Sequence, residues 1–281
     1  MAKATDFRDE ITEKIITSLE NGTAPWQRPW NGRENFQNAI TGRNYSGINT
    51  VILSMASLKF DSNLKDPRWA TYKQANDAGW HVKKGEKGTH VLLWKPSLLS
   101  DDDGNTKIAS VVQRVFTVFH ASQIEGISEY MPPEINVVEA HKKAEKIISD
   151  SGAKINYGGD EAYYSPAGDY VQLPPKDDFT SLEGYYSTVL HELAHWTGHP
   201  SRLNRVQRCS KFSQDYAFEE LIAEMGSLFV ASSAAIPQSG CEFQNHVSYI
   251  ESWLKHLKSD NMYIFRAAAE VSKAAGFLLK E

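Results

Sequence analysis

A chain of 281 residues, 41% hydrophobic and 11% aromatic, exceeds the usual size of one domain and has ample material for packed cores, so two domains are expected. The longest apolar run, Leu221 to Val230, is interrupted by Glu224 and Ser227, which excludes a membrane helix, and the charged N-terminus lacks the apolar core of a secretory leader. Cys209 and Cys241 lie 32 positions apart without a Cys-x-x-Cys pair, which excludes a disulfide framework and a cysteine zinc knuckle and favours a reducing, cytoplasmic setting.

In chain order, Ile11, Ile15, Ile16 and Leu19 recur at helical spacing in a first amphipathic helix that ends at Asn21-Gly22. A loop carrying Pro25-Trp26 and Pro29-Trp30 follows, then helices over Asn49 to Leu58 and Arg68 to Ala78. Val91 to Trp94 and Val111 to Phe119 are β-rich, and Asp101 to Asn105 supplies the turn of a hairpin between them. Further on, Val138 to Ser149 reads as a helix, Ala162 to Ser165 and Tyr170 to Leu173 as short strands, and four helices end the chain. The fold class is therefore α+β: an N-terminal α+β domain over 1–128 and a mostly helical domain with a small sheet over 134–281. Charge divides with it. Residues 1–125 carry 16 Lys and Arg against 14 Asp and Glu, whereas residues 126–281 carry 14 against 21.

The strongest chemical signal is His191-Glu192-Leu193-Ala194-His195. Residues four apart share a helix face, so both imidazoles can meet one metal ion while Glu192 stands beside it to polarise a water. The segment opens with a Thr180-to-Glu183 capping box, shows an apolar face of Tyr185, Tyr186, Val189, Leu190 and Leu193, and stops at Gly198. Such a site is that of a zinc-dependent metallopeptidase, with Zn2+ or another divalent ion such as Mn2+ as cofactor and a protein or peptide as substrate.

A third ligand is required. His199 is turned away by Gly198 and Pro200, and the third histidine of metzincins would fall at position 201, which is Ser. Glu219, Glu220 and Glu224 lie in a later apolar stripe, where carboxylates need a partner. The spacing of Glu220 and Glu224 resembles that of thermolysin-like enzymes, which favours Glu220 as ligand and Glu224 as the acid behind a ligand histidine, with Glu219 as the other candidate. Glu192 would then be general base and, later, proton donor to the leaving amine. Asp169 to Pro175 reads as an edge strand on which an extended peptide could pair; Tyr163, Tyr164, Tyr185 and Tyr186 are candidates for an oxyanion phenol, and nothing in the sequence selects one.

Several motifs in one order carry a family resemblance across nearly the whole chain. Pro25-Trp26 to Trp30, Thr41-Gly42-Arg43-x-Tyr45-x-Gly47-x-Asn49, Trp69-x-Thr71-Tyr72-x-Gln74 and Val82-x-Lys84-Gly85-Glu86-Lys87-Gly88 resemble the N-terminal domain of ArdC-type antirestriction proteins. His191 to His199 with Ser201-Arg202-Leu203-x-Arg205 resembles their zincin-like domain. The resemblance implies single-stranded DNA binding by the N-terminal domain and protection of incoming plasmid or phage DNA from restriction. Arg28, Arg43, Lys83, Lys84 and Lys87 for phosphates, and Trp26, Trp30 and Tyr45 for stacking, are compatible with that role. The alternative is a non-proteolytic protein that shields DNA, with a metal site that is structural or unrelated to protection.

Overall fold

The computed structural model describes residues 4–26, 35–57, 59, 66–100, 106–132, 136–205, 214–236 and 247–280. The chain forms two compact units, 36–130 and a second made from 1–35 together with 131–281.

In the unit 36–130, β1 (Gln37–Asn38), β2 (Arg68–Thr71), β4 (Thr89–Ser100) and β5 (Thr106–His120) form a sheet of order β1-β2-β5-β4. β1 and β2 run parallel, and the other pairs are antiparallel. β4 and β5 are the arms of the expected hairpin; its turn, 101–105, lies outside the described residues. α2 (Ile48–Ser57) covers the sheet, burying Leu53 beside Phe36, Trp69, Val91 and Val118. Asn49 fixes the exposed edge by both accepting from and donating to the backbone of Leu92. β3 (His81–Val82) and β6 (Ile124–Glu125) form a two-stranded sheet.

The sequence predicts one helix over 68–78; the structure divides it. Residues 68–71 pair with β5, and only α3 (Tyr72–Asp77) is helical. Thr71 marks the change: its extended backbone begins a capping box with Gln74, so the helix starts at Tyr72, four residues later than apolar spacing suggests.

The other unit is mostly helical. α1 (Ala4–Glu20) buries Phe7, Ile11, Ile15, Ile16 and Leu19, and it packs on α7 (Val247–Ser259). By contacts, residues 1–35 fall in this unit, because the apolar stripe of α1 needs cover and α7 supplies it. Trp26 follows the same route, lying edge-on to Trp253 at 5.7 Å between ring centroids.

α4 (Val137–Ser151) ends at Gly152, whose φ of 73° supplies the left-handed residue that terminates the helix. β7 (Lys154–Tyr157), β8 (Tyr163–Ser165) and β9 (Tyr170–Leu173) then form a sheet of order β7-β9-β8. β9 is thus central, parallel to β7 and antiparallel to β8. This corrects the expected edge strand: both backbone sides of β9 are paired, leaving none for a peptide. α5 (Leu182–Thr197), α6 (Gln214–Ser233) and α8 (Tyr263–Leu279) complete the core, where Val171, Leu173, Val189, Leu190, Leu193 and Val230 are buried together. No described helix is long and apolar enough to cross a membrane.

Candidate metal centre

α5 begins at Ser181, whose hydroxyl accepts from Gly184 N at 3.0 Å, one residue later than the predicted cap at Thr180. Tyr185, Tyr186, Val189, Leu190 and Leu193 point into the core. That orientation leaves His191 and His195 half-buried and facing α6, with Glu192 buried between them in sequence. α5 and α6 approach closely: a Cβ on Gly226 would stand 3.4 Å from that of Ala194. A larger residue at either point would push the helices apart and widen whatever their side chains grip.

Nε2 of His191 and Nε2 of His195 lie 3.2 Å apart. Glu220 reaches across from α6, its Oε2 3.7 Å from His191 Nε2 and its Oε1 3.5 Å from His195 Nε2. The three side chains offer ligand atoms all within 4.8 Å of one another, and this is the group of such geometry among the described residues. Two imidazoles and one carboxylate are the donor set of a catalytic divalent metal with an open position.

The electrostatics agree with that fit. Glu192, Glu219 and Glu220 are all buried, so the site requires positive charge. Burial alone would raise the Glu220 carboxyl, but hydrogen bonds and charge from His191 and His195 hold it far below the ordinary range. Burial would likewise lower His195; contacts with Glu219 and Glu220, and the charge of Glu192, instead push it up to about 10. A divalent ion would satisfy the same demand by displacing that proton, as metal sites invert the usual titration order.

The acid that stands behind His195 is Glu219, the other carboxylate candidate of the stripe. Glu219 Oε1 lies 3.5 Å from His195 Nδ1, on the side of the ring away from Glu220. Its carboxyl is held below the ordinary range against the effect of burial by His195 and by Arg205. Glu224 is buried one turn beyond Glu220. His199 turns away as expected and meets Ser201 Oγ at 2.7 Å.

The four candidate phenols have other partners. Tyr185 bonds Tyr157, Tyr186 donates to Glu145, Tyr164 donates to Asp169, and the Tyr163 ring lies 6.4 Å from that of Tyr170. The tyrosine facing the centre is Tyr216, hydrogen-bonded to Glu220 from one turn earlier on α6. Tyr249 of α7 is bonded to Tyr216, with ring centroids 5.9 Å apart. Burial first, then the Glu220 charge, pushes both phenols up, so both are neutral donors at physiological pH. The only sequence signal for Tyr216 was its four-residue offset from Glu220.

The predicted DNA residues are dispersed. Arg28 and Trp30 lie outside the described residues. Trp26 is 3% exposed and cannot serve as a base platform. Arg43, Lys84 and Lys87 are exposed, as is Lys83, whose ammonium donates to Ser122 O. Tyr45 is half-buried against the core. Tyr72 of the resemblance motif, 57% exposed, is an aromatic surface in this unit that was not among the stacking candidates.

Comparison with known proteins gives this geometry a lineage. Residues 5–119 match the N-terminal domain of anti-restriction factor ArdC, and residues 142–270 match the family described as zincin-like metallopeptidase. The DNA primase TraC of Escherichia coli is 40% identical over 97% of this chain, which spans about a quarter of that protein's length (27%). Protein y4eC of Sinorhizobium fredii is 31% identical, with 98% of this chain and 92% of that protein covered. The crystal structure of metal-free ArdC from the R388 plasmid superimposes with a TM-score of 0.80 at 37% identity, covering 98% of this chain and 97% of that one. A Mn(II)-bound structure of the same ArdC matches with the same score at 36% identity. Two matched domains in one order, and a relative aligned along almost its full length, place this chain in the ArdC family of antirestriction proteins.

Proposed function

We propose that this protein binds single-stranded DNA through the unit 36–130 and hydrolyses peptide bonds at the His191–His195–Glu220 centre, protecting incoming DNA from restriction. The convergence of those three donors within 4.8 Å, with buried Glu192 next to His191, is the observation that carries the reading.

A divalent cation, Zn2+ or Mn2+, would be held by His191, His195 and Glu220 and would supply Lewis acidity there. Glu192, next to His191 on α5, is the general base of this reading. It takes a proton from the attacking water and delivers it to the leaving amine, two transfers that peptide hydrolysis requires. Tyr216, neutral and donating its O–H to Glu220, orients the carboxylate.

The DNA role rests on exposed Arg43, Lys83, Lys84 and Lys87, with Tyr72 as a platform for a base. These cations would act by contacting phosphates, so affinity should fall with salt. A shielding protein with no peptidase activity is the competing reading.

Glu192→Gln and His191→Ala, compared in cells receiving a plasmid with restriction sites, separate the two readings. Proteolysis predicts loss of protection in both variants with DNA binding intact. Full protection in both, alongside failure of a Lys84→Glu, Lys87→Glu variant, would establish shielding instead.

A further inference from the structure

Arg205 belongs to the Ser201-to-Arg205 motif that the metal chemistry leaves unexplained, yet its guanidinium is buried. Nε donates to Glu219 Oε2 at 3.0 Å and Nη2 to Glu219 Oε1 at 2.8 Å, a two-pronged pairing that only a guanidinium makes. Nη1 donates to Thr197 Oγ1 at 3.0 Å, and Nη2 also to Ala194 O at 2.7 Å. Those acceptors lie in the last turn of α5, where backbone carbonyls have no helical donors and fraying begins. His195 occupies that same turn.

We infer that Arg205 is a positioning residue for the metal centre, acting through Glu219 to set the orientation and tautomer of His195. The inference rests on the metal-binding reading of His191, His195 and Glu220. Glu219 presents Oε1 to His195 Nδ1 at 3.5 Å, an arrangement that, with a cation bound, would favour the proton on Nδ1 and leave the Nε2 lone pair for the metal. An unsupported carboxylate could rotate about its own side-chain bonds. The Arg205 fork removes that freedom and ties the carboxylate to the helix end that carries His195. The neighbouring Arg202 reinforces the same junction: Nε donates to Trp196 O at 2.7 Å, and its guanidinium lies 3.7 Å over the Trp196 ring centroid.

A helix-end anchor and a positioning relay make different predictions. If Arg205 only anchors α5, its loss and the loss of Glu219 weaken metal binding by separate routes, and the two effects multiply. If it works through Glu219, the double variant is no worse than the poorer single one.

The test measures Zn2+ affinity of the full chain by chelator competition for wild type, Glu219→Gln, Arg205→Lys and the double variant. Circular dichroism of the metal-free proteins confirms that each is folded. Glu219→Gln and Arg205→Lys should each weaken binding by about 10- to 100-fold, non-multiplicatively, because that is the usual cost of removing a group that orients a ligand. Unchanged affinity in Glu219→Gln, or multiplicative losses, would overturn the proposal. A measurement on wild type covers the case in which the variants do not fold. In the Zn2+-loaded protein, a 1H–15N spectrum should show a hydrogen-bonded proton on His195 Nδ1, and its absence there would be equally decisive against the relay. Failure of wild type itself to bind Zn2+ would instead remove the metal-site reading on which the relay depends.

Discussion

His191 and His195 turn their Nε2 atoms toward each other at 3.2 Å, a separation at which two neutral rings must share one proton or one cation. A divalent ion resolves that conflict while also neutralising Glu220. We therefore expect about one equivalent of Zn2+ or Mn2+ per chain, and none in the His191→Ala, His195→Ala variant. Metal at a hundredfold over its dissociation constant should add about 2.7 kcal/mol of stability, readable as a rise in thermal midpoint that a chelator reverses. Identical melting with and without metal would contradict the site.

Glu192→Gln preserves shape and removes the base. Metal content should be unchanged while hydrolysis of a susceptible protein falls by at least about 100-fold, the lower range for general acid–base catalysis. Equal turnover in the variant would take Glu192 out of the chemistry.

Tyr216→Phe removes the O–H that bonds Glu220. One such hydrogen bond to a charged group contributes roughly 1.5–3 kcal/mol, so metal affinity should drop about 10-fold or more. Tyr249→Phe, one bond further out, should have the smaller effect. A reversed order would mean that Tyr216 does not act on the ligand.

Substitutions in the two units should separate DNA binding from stability. Reversing charge at Arg43, Lys84 and Lys87 should weaken single-strand binding and flatten its dependence on salt, as measured by oligonucleotide titration. Trp26→Ala should leave that binding intact and cost about 3–5 kcal/mol in denaturant unfolding, because the ring is buried against Trp253. DNA binding lost in Trp26→Ala without loss of stability would restore the platform role.

The Asp169–Arg202 pair gives a pH signature. Asp169 titrates below its ordinary value chiefly because Arg202 bonds to it, with help from Tyr164. A depressed carboxyl stabilises the fold above its unfolded pKa, and that contribution disappears as pH falls through the folded value. Asp169 is partly in water, so Asp169→Asn should cost about 1 kcal/mol or less at neutral pH and nothing in strong acid. A difference that persisted in acid would place its origin in packing.

The metal motif was legible because its chemistry is local: two histidines four apart, on a helix whose start and stop are written beside them. The support for His195 was not. Glu219 and Glu220 are adjacent, about 100° apart around α6, and both can face α5 only because of how that helix is rotated in the core. Close approach at Gly226 and Ala194 sets that rotation, through a contact between residues 32 positions apart. β9 read as an edge because β7, its second neighbour, has no alternation strong enough to announce a strand. Trp26 carried no local sign of burial; its partner arrives 227 residues later. Fold class survived these errors because apolar periodicity fixes which segments are helical, not which surfaces they meet.

The return of α1 to α7 bears on how the protein is made. Thr12 bonds the backbone of Asn261, Asp9 accepts from Asn261, and Glu20 pairs with Lys258, all contacts spanning more than two hundred residues. α1 is therefore synthesised more than two hundred residues before the helix that covers it, and its apolar stripe waits until α7 has been made. A nascent chain of this design is expected to lean on chaperones, and to be most vulnerable to degradation when synthesis stops short of residue 247.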